Sequence, residues 1–284
     1  MLMRRWWRRR ARRSGGIAVA FVLAVAALCV TTGAARCQIA PPDQADHEWH
    51  FDAAIYGWMP AMSGSLEARG TRASFNESFL DTVRKSDTLL GLMGHFEAHH
   101  DDLGGIADFL YTKIKFKSAA VGPLTVTPTS EMAIVDFTGA WRLTHFWLDN
   151  IGDRSMSIEA LAGGRFYSIG NRLDFGGAGG ATPPSIDEGK SWVDPVIGLR
   201  INTALSPSWI LTVRGDVGGF GLGSDFAWQT AAVLGYRIRL LNQNAVLAVG
   251  YRALSWNFSH GQGPAEFRST TTMHGPLIGL DFQF

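Results

Sequence analysis

The sequence predicts an all-β protein, a transmembrane antiparallel up-and-down β-barrel of about ten strands with eight as the alternative. Three observations predict it. Beyond residue 48 most of the chain alternates apolar and polar residues with period two; the charged residues gather on the face opposite the apolar one; and the N-terminus carries an export signal.

The export signal comes first along the chain. Arg4, Arg5, Arg8, Arg9, Arg10, Arg12 and Arg13 precede an apolar run at 17–30 and small residues at 31–35. That order is the order of a cleavable signal peptide, assigned here to 1–36. The run falls short of the roughly 20 residues a membrane-crossing helix needs. Arg36 directly before Cys37 argues against lipoprotein processing, and no twin-arginine continuation follows the paired arginines. Residues 37–48 are then expected as a short periplasmic segment and 49–284 as the barrel.

Removing 1–36 takes away eight of the 26 Lys and Arg and none of the 25 Asp and Glu. The 18 bases and 25 acids that remain give a formal charge of −7, so nucleic acid is not expected as a partner. Cys29 lies in the signal and Cys37 beside the cut, which leaves no internal disulfide to expect.

The clearest strand spans 225–240. Phe226, Trp228, Ala232, Leu234, Tyr236, Ile238 and Leu240 share one face; Gln229, Gly235, Arg237 and Arg239 share the other. Crossing a bilayer with a tilted strand takes about 9 to 11 residues, and this segment exceeds that. The same alternation places strands near 49–59, 88–101, 104–117, 128–145, 154–174, 190–204, 208–220, 224–240, 244–258 and 269–284. Asp102-Leu103, Ser206-Pro207 and Asn242-Gln243 mark tight turns, whereas 60–87 and 175–189 are long linkers, the asymmetry of bacterial barrels.

A soluble sandwich would put ions outside. Here Val193, Ile197, Leu199 and Ile201, and Trp209, Leu211, Val213 and Val217, form faces opposed to Asp194, Arg200, Arg214 and Asp216. An apolar outside around a polar inside suits lipid. Trp141, Phe166, Trp209, Trp228, Tyr236 and Phe282 lie on the apolar faces, as interfacial girdles do. Gly198-Leu199-Arg200, Gly235-Tyr236-Arg237, Gly250-Tyr251-Arg252 and Gly279-Leu280-Asp281 recur with glycine and charge on the inner face, where glycine makes room for the long side chains.

The C-terminal run 277–284 ends Leu280, Asp281, Phe282, Gln283, Phe284, with apolar residues at alternate positions and a terminal aromatic. In this it resembles the small porin-like outer-membrane barrels, the OmpA-like and opacity-type group. The resemblance implies bacterial outer-membrane location, with Leu280, Phe282 and Phe284 as the signal read by the barrel-assembly machinery. It implies no particular activity, and no peptidoglycan-binding domain is expected after the last strand.

Function is therefore sought in the lumen and loops. Glu97, Asp108, Asp136, Glu159, Asp194, Asp216 and Asp281 face Arg142, Arg165, Arg200, Arg214, Arg237 and Arg252 on the inner faces. Such groups either pair and fill the interior or line a polar pore, so a narrow channel for small solutes and a structural surface barrel both fit. A lipid-modifying acyl hydrolase or acyltransferase is the alternative from another class. His95, Glu97 and His99 share a strand face that could hold a metal or a base with its orienting acid, while His100 points away. No nucleophile elbow is present, and neither catalytic residue, metal nor cofactor is assigned. A further alternative is adhesion or surface recognition through 60–87, in which Phe79, Leu80 and Val83 suggest one face of a short helix. Lys113, Lys115 and Lys117 at the outer rim suit the phosphates of lipopolysaccharide, and 176–184 reads as a Gly- and Pro-rich surface loop.

Overall fold

Alternation of side chains across a strand leaves each strand with one apolar and one polar face, and ring closure is the way to bury the polar one without leaving an open sheet edge. The computed structural model describes residues 48–68, 71–121, 124–148, 154–177, 184–261 and 267–284, and the expected signal peptide 1–36 lies outside them. Its strands are β1 (His50–Trp58), β2 (Ala61–Ala68), β3 (Thr71–Glu77), β4 (Ser86–His100), β5 (Leu103–Phe116), β6 (Ala119–Val121) and β7 (Leu124–Trp147). They continue with β8 (Ser155–Gly177), β9 (Ile186–Ala204), β10 (Trp209–Gly218), β11 (Phe226–Leu240), β12 (Gln243–His260) and β13 (Phe267–Gln283). One helix, α1 (Phe79–Lys85), lies between β3 and β4.

Ten strands form the ring, in the order β1, β4, β5, β7, β8, β9, β10, β11, β12, β13, and β13 pairs back onto β1. The closing register runs from Asp52 opposite Gln283 to Trp58 opposite Leu277. Each strand of the ring is antiparallel to its neighbours, which removes the eight-strand alternative. Tight turns gather at one end. At Asp101 (φ 54°), and at Leu241 and Asn242 (φ 52° and 62°), the chain takes the left-handed conformations that two-residue hairpins with native twist require.

At the other end the strands run on. β7 has 24 residues and β8 has 23, about twice what a tilted membrane strand needs. There β2 takes over from β1 along β13, pairing Ala61 with His274 through Ala68 with Phe267, and β3 pairs with β2. The long linker expected at 60–87 is thus a hairpin and a helix; its pairing partner, β13, lies some 200 residues away in sequence, where local pattern carries no signal. Much of the linker expected at 175–189 is also strand, since β8 reaches Gly177 and β9 starts at Ile186. Residues 178–183 lie outside the described residues.

Helix α1 is fixed by its cap: Ser78 Oγ accepts from Asp81 N at 3.2 Å and donates to Asp81 Oδ2 at 2.6 Å. These bonds hold the Asp81 carboxyl below the usual range, and the Glu77 carboxylate, 2.7 Å away, raises the Lys85 ammonium above its own. The helix expected from Phe79, Leu80 and Val83 forms, but of these Phe79 is half-buried, Leu80 and Val83 are exposed, and the buried residue is Thr82. The helix is tied to its surroundings by polar bonds, Lys85 to Glu77 on β3 and Lys117 to Arg84 O.

The polarity of the ring is inverted relative to a soluble protein. Ile55, Ile197 and Leu199 are 72%, 55% and 53% exposed on the outside, while Arg165 and Asp194 are 0% exposed inside. Outward glycines are roofed by aromatic rings: Phe109 covers Gly94, and Phe137 covers Gly164 where a Cβ would stand.

Candidate functional site

The inward faces change character along the barrel axis, and this layering builds the site. Nearest the tight turns is a chamber, next a belt of paired charges, and beyond it an aromatic layer.

The belt holds two groups. In one, Arg200 donates from Nη1 and Nη2 to both Glu97 oxygens at 2.6 Å and from Nε to Glu159 at 2.7 Å. In the other, Arg252 donates to Asp108 and to the Tyr56 hydroxyl, each at 2.9 Å, and to Gln229 Oε1 at 2.6 Å. Gln229 passes the chain to Asp216 at 3.2 Å, and Asp216 also accepts from Arg214 and Arg165, each at 2.9 Å. Arg165 donates in addition to Asp136. His95 joins the two groups, with Nε2 3.3 Å from Glu97 and Nδ1 3.5 Å from Asp108. These partners come from strands across the lumen as well as neighbours, so the charges are buried in pairs as a low dielectric demands. Gly198, opposite Asp216, leaves no room for a Cβ beside that carboxylate.

The aromatic layer follows on the same inward faces. Tyr167 stacks on Trp192 with centroids 4.9 Å apart, Trp192 on Phe258 at 4.0 Å, and Tyr167 lies 5.3 Å from Trp256. Trp58, Leu110, Ile134, Leu254 and Met273 fill the space between. The indole N–H groups are bonded, Trp58 to Gly275 O, Trp192 to Ser224 and Trp256 to Ser269. Arg252 Cζ, 5.2 Å from the Trp58 ring centroid, joins belt and layer. Sequence reasoning placed aromatic residues outside and missed this layer. Its signal was present: Tyr167 continues the face of Arg165, Trp192 that of Asp194, and Leu254, Trp256 and Phe258 that of Arg252.

Below the belt lies the chamber, a cavity of about 460 Å³ whose lining reaches Asn202 and Gln283 beside the tight-turn end.

Of the residues expected inside, Glu97, Asp136, Glu159, Arg165, Arg200, Arg214, Asp216 and Arg252 meet in the belt, with Asp108 among them. Asp194 instead accepts from the backbone N of Ser224 at 2.6 Å. Arg142 lines the chamber and reaches to 3.7 Å from Asp102 at the tight-turn end, and Arg237 donates to Pro207 O at 2.7 Å in the turn before β10. Asp281 lines the chamber. Leu280 and Phe282 lie on the outward face of β13, and Phe284 is one residue beyond it in the chain. His95 and His99 both contact Glu97, which Arg200 also holds. Lys113 pairs with Glu131, and Lys117 donates to Arg84 O at 2.7 Å.

No protein-family model and no curated protein matches the chain. Among solved structures it is similar to bacterial outer-membrane barrels. The outer membrane protease OmpT of Escherichia coli is 8% identical over 86% of this chain and 100% of that one, with a TM-score of 0.47. Ail, the attachment invasion locus protein of Yersinia pestis, in complex with the heparin analogue sucrose octasulfate, is 10% identical over 83% and 98%, with a TM-score of 0.32. The translocator domain of autotransporter NalP from Neisseria meningitidis is 12% identical over 84% and 91%, with a TM-score of 0.35. Likeness at this level concerns the arrangement of strands, not activity.

Proposed function

We propose that the protein is a bacterial outer-membrane surface barrel that keeps its own lumen shut, with the tight turns in the periplasm and the prolonged strands outside. The apolar exterior and polar interior support the membrane, and turn asymmetry supports the orientation. The observation that carries the closed state is the succession of two unlike layers across the lumen: Arg165, Asp136 and Asp216 pair in the belt, and Tyr167, Trp192, Phe258 and Trp256 stack beyond it. A narrow channel for small solutes would need both layers to part, because a pore is only as wide as its tightest layer.

Liposome swelling tests this. Vesicles holding the refolded barrel swell in arabinose or glycine no faster than empty vesicles under the closed reading; swelling graded by solute size establishes the channel instead.

A second reading, surface recognition, draws on the β2–β3 hairpin and α1, which lie where the strands outrun the membrane. The lipid-modifying alternative has less support. Its candidate residues His95, Glu97 and His99 point into the lumen rather than toward the membrane surface, and Glu97 is engaged by Arg200.

A further inference from the structure

The chamber has two kinds of wall. On β4, β8 and β9 its lining includes His95, Glu97, Glu159 and Arg200; on β11 and β12 it includes Ala231, Val233, Val246 and Ala248, with Gln229 and Arg252 above them in the belt, bonded to each other. Small inward residues on one side are what leave the space of about 460 Å³, a size within the range of small-molecule sites.

At the seam between the walls stand two carboxylates, Asp52 on β1 and Asp281 on β13. They differ from every acid of the belt. Glu97 and Glu159 pair with Arg200, Asp108 with Arg252, and Asp136 and Asp216 with Arg165. Among the described residues neither Asp52 nor Asp281 has a Lys or Arg within ion-pair distance; Asp52 stands opposite Gln283 on β13. Register explains the isolation. Asp281 stands opposite Ala54 on β1 and Val246 on β12, and neither side chain can donate. Its Oδ1 is shielded from solvent and makes no hydrogen bond. His95, the basic group on β4 that acts on both acids, is itself held by Glu97 and Asp108, so neither chamber acid has a counter-charge of its own; that is costly, and a cation in the adjoining cavity offsets the cost.

We propose that the chamber is a binding site for a small organic cation, its ammonium head between Asp52 and Asp281 and its apolar body against the Ala and Val wall of β11 and β12. A bare metal ion would leave that wall uncovered, and an anionic ligand would face two unpaired carboxylates. Entry is from the tight-turn end, the aromatic layer closing the other. That direction rests on the closed-barrel reading; the site itself does not.

The test uses 4-fluorobenzylamine as probe, with 4-fluorobenzyl alcohol and 4-fluorobenzoate as neutral and anionic isosteres. Each is titrated by fluorine NMR into the refolded protein in detergent micelles, against empty micelles. Saturable binding of the amine is expected, about tenfold or more tighter than the alcohol, with no saturable binding of the benzoate. The pair Asp52→Asn and Asp281→Asn should weaken amine binding by about tenfold or more, and Ala248→Leu, which fills the apolar side and keeps both acids, should weaken all saturable binding. Equal binding of the three probes, or an amine Kd unmoved by both variants, overturns the proposal. Heat-modifiable migration confirms that each variant folds, and the isostere series on the native sequence stands alone if one does not. Liposome swelling fails or succeeds independently of these titrations, so loss of the closed-barrel reading and loss of the site are told apart.

Discussion

The belt and the chamber sit on the same inward faces, yet treat charge in opposite ways. In the belt Arg165, 0% exposed, answers Asp136 and Asp216, and each acid has an arginine. In the chamber Asp281 lies between Ala54 and Val246 and has none. Charge in the belt is structural, since removing one partner strands another in a low dielectric. Asp281 holds no lysine or arginine in place and stands beside an open space, the position the proposed cation would fill.

The largest expected effect comes from breaking the belt. Arg165→Leu leaves Asp136 and Asp216 short of their central partner and should cost about 3 to 5 kcal/mol, seen as a lower urea midpoint for loss of heat-modifiable migration. An unchanged midpoint would mean the belt carries no stability. Trp256→Ala, in the aromatic layer, should cost about 3 kcal/mol by the same assay through the cavity it opens against Tyr167 and Leu254.

A matched pair of substitutions sharpens the contrast. Asp216→Asn removes a charge that three side chains bond and should destabilise by about 2 kcal/mol. Asp281→Asn should be neutral or stabilise by about 1 kcal/mol, because it removes an uncompensated charge. Equal losses at both positions would erase the distinction between belt and chamber.

The smallest effect lies outside the membrane. Asp81 titrates below the usual carboxylate range because Ser78 bonds its charged form. A lowered folded value means that its contribution is fully present above about pH 4 and fades as pH falls through that lowered value. Amide exchange in α1 should therefore quicken at low pH relative to the same helix in Asp81→Asn, whose exchange should show no such step.

The ten ring strands were legible because lipid on one side and charge on the other impose strict alternation over long runs, as in β9 and β11. The inward set was legible for the same reason, by parity alone. Which acid meets which arginine was not, because Arg200 and Glu97 are 103 residues apart and Arg252 and Asp108 are 144 apart, and only ring closure brings them together. The β2–β3 hairpin escaped notice because its outward residues, Ser63, Ser65, Ser74 and Asn76, read as loop, and its pairing along β13 is long-range. The chamber escaped it too, since a cavity comes from what inward residues lack: Ala231 and Ala248 read as part of the alternation, not as space.

Single-channel recording of the refolded protein in a planar bilayer tests the closed lumen most directly. The account predicts silence from the native sequence and from either layer altered alone, Arg252→Ala or Trp192→Ala, with conductance steps when the two are combined. Steady conductance from the native protein would contradict it.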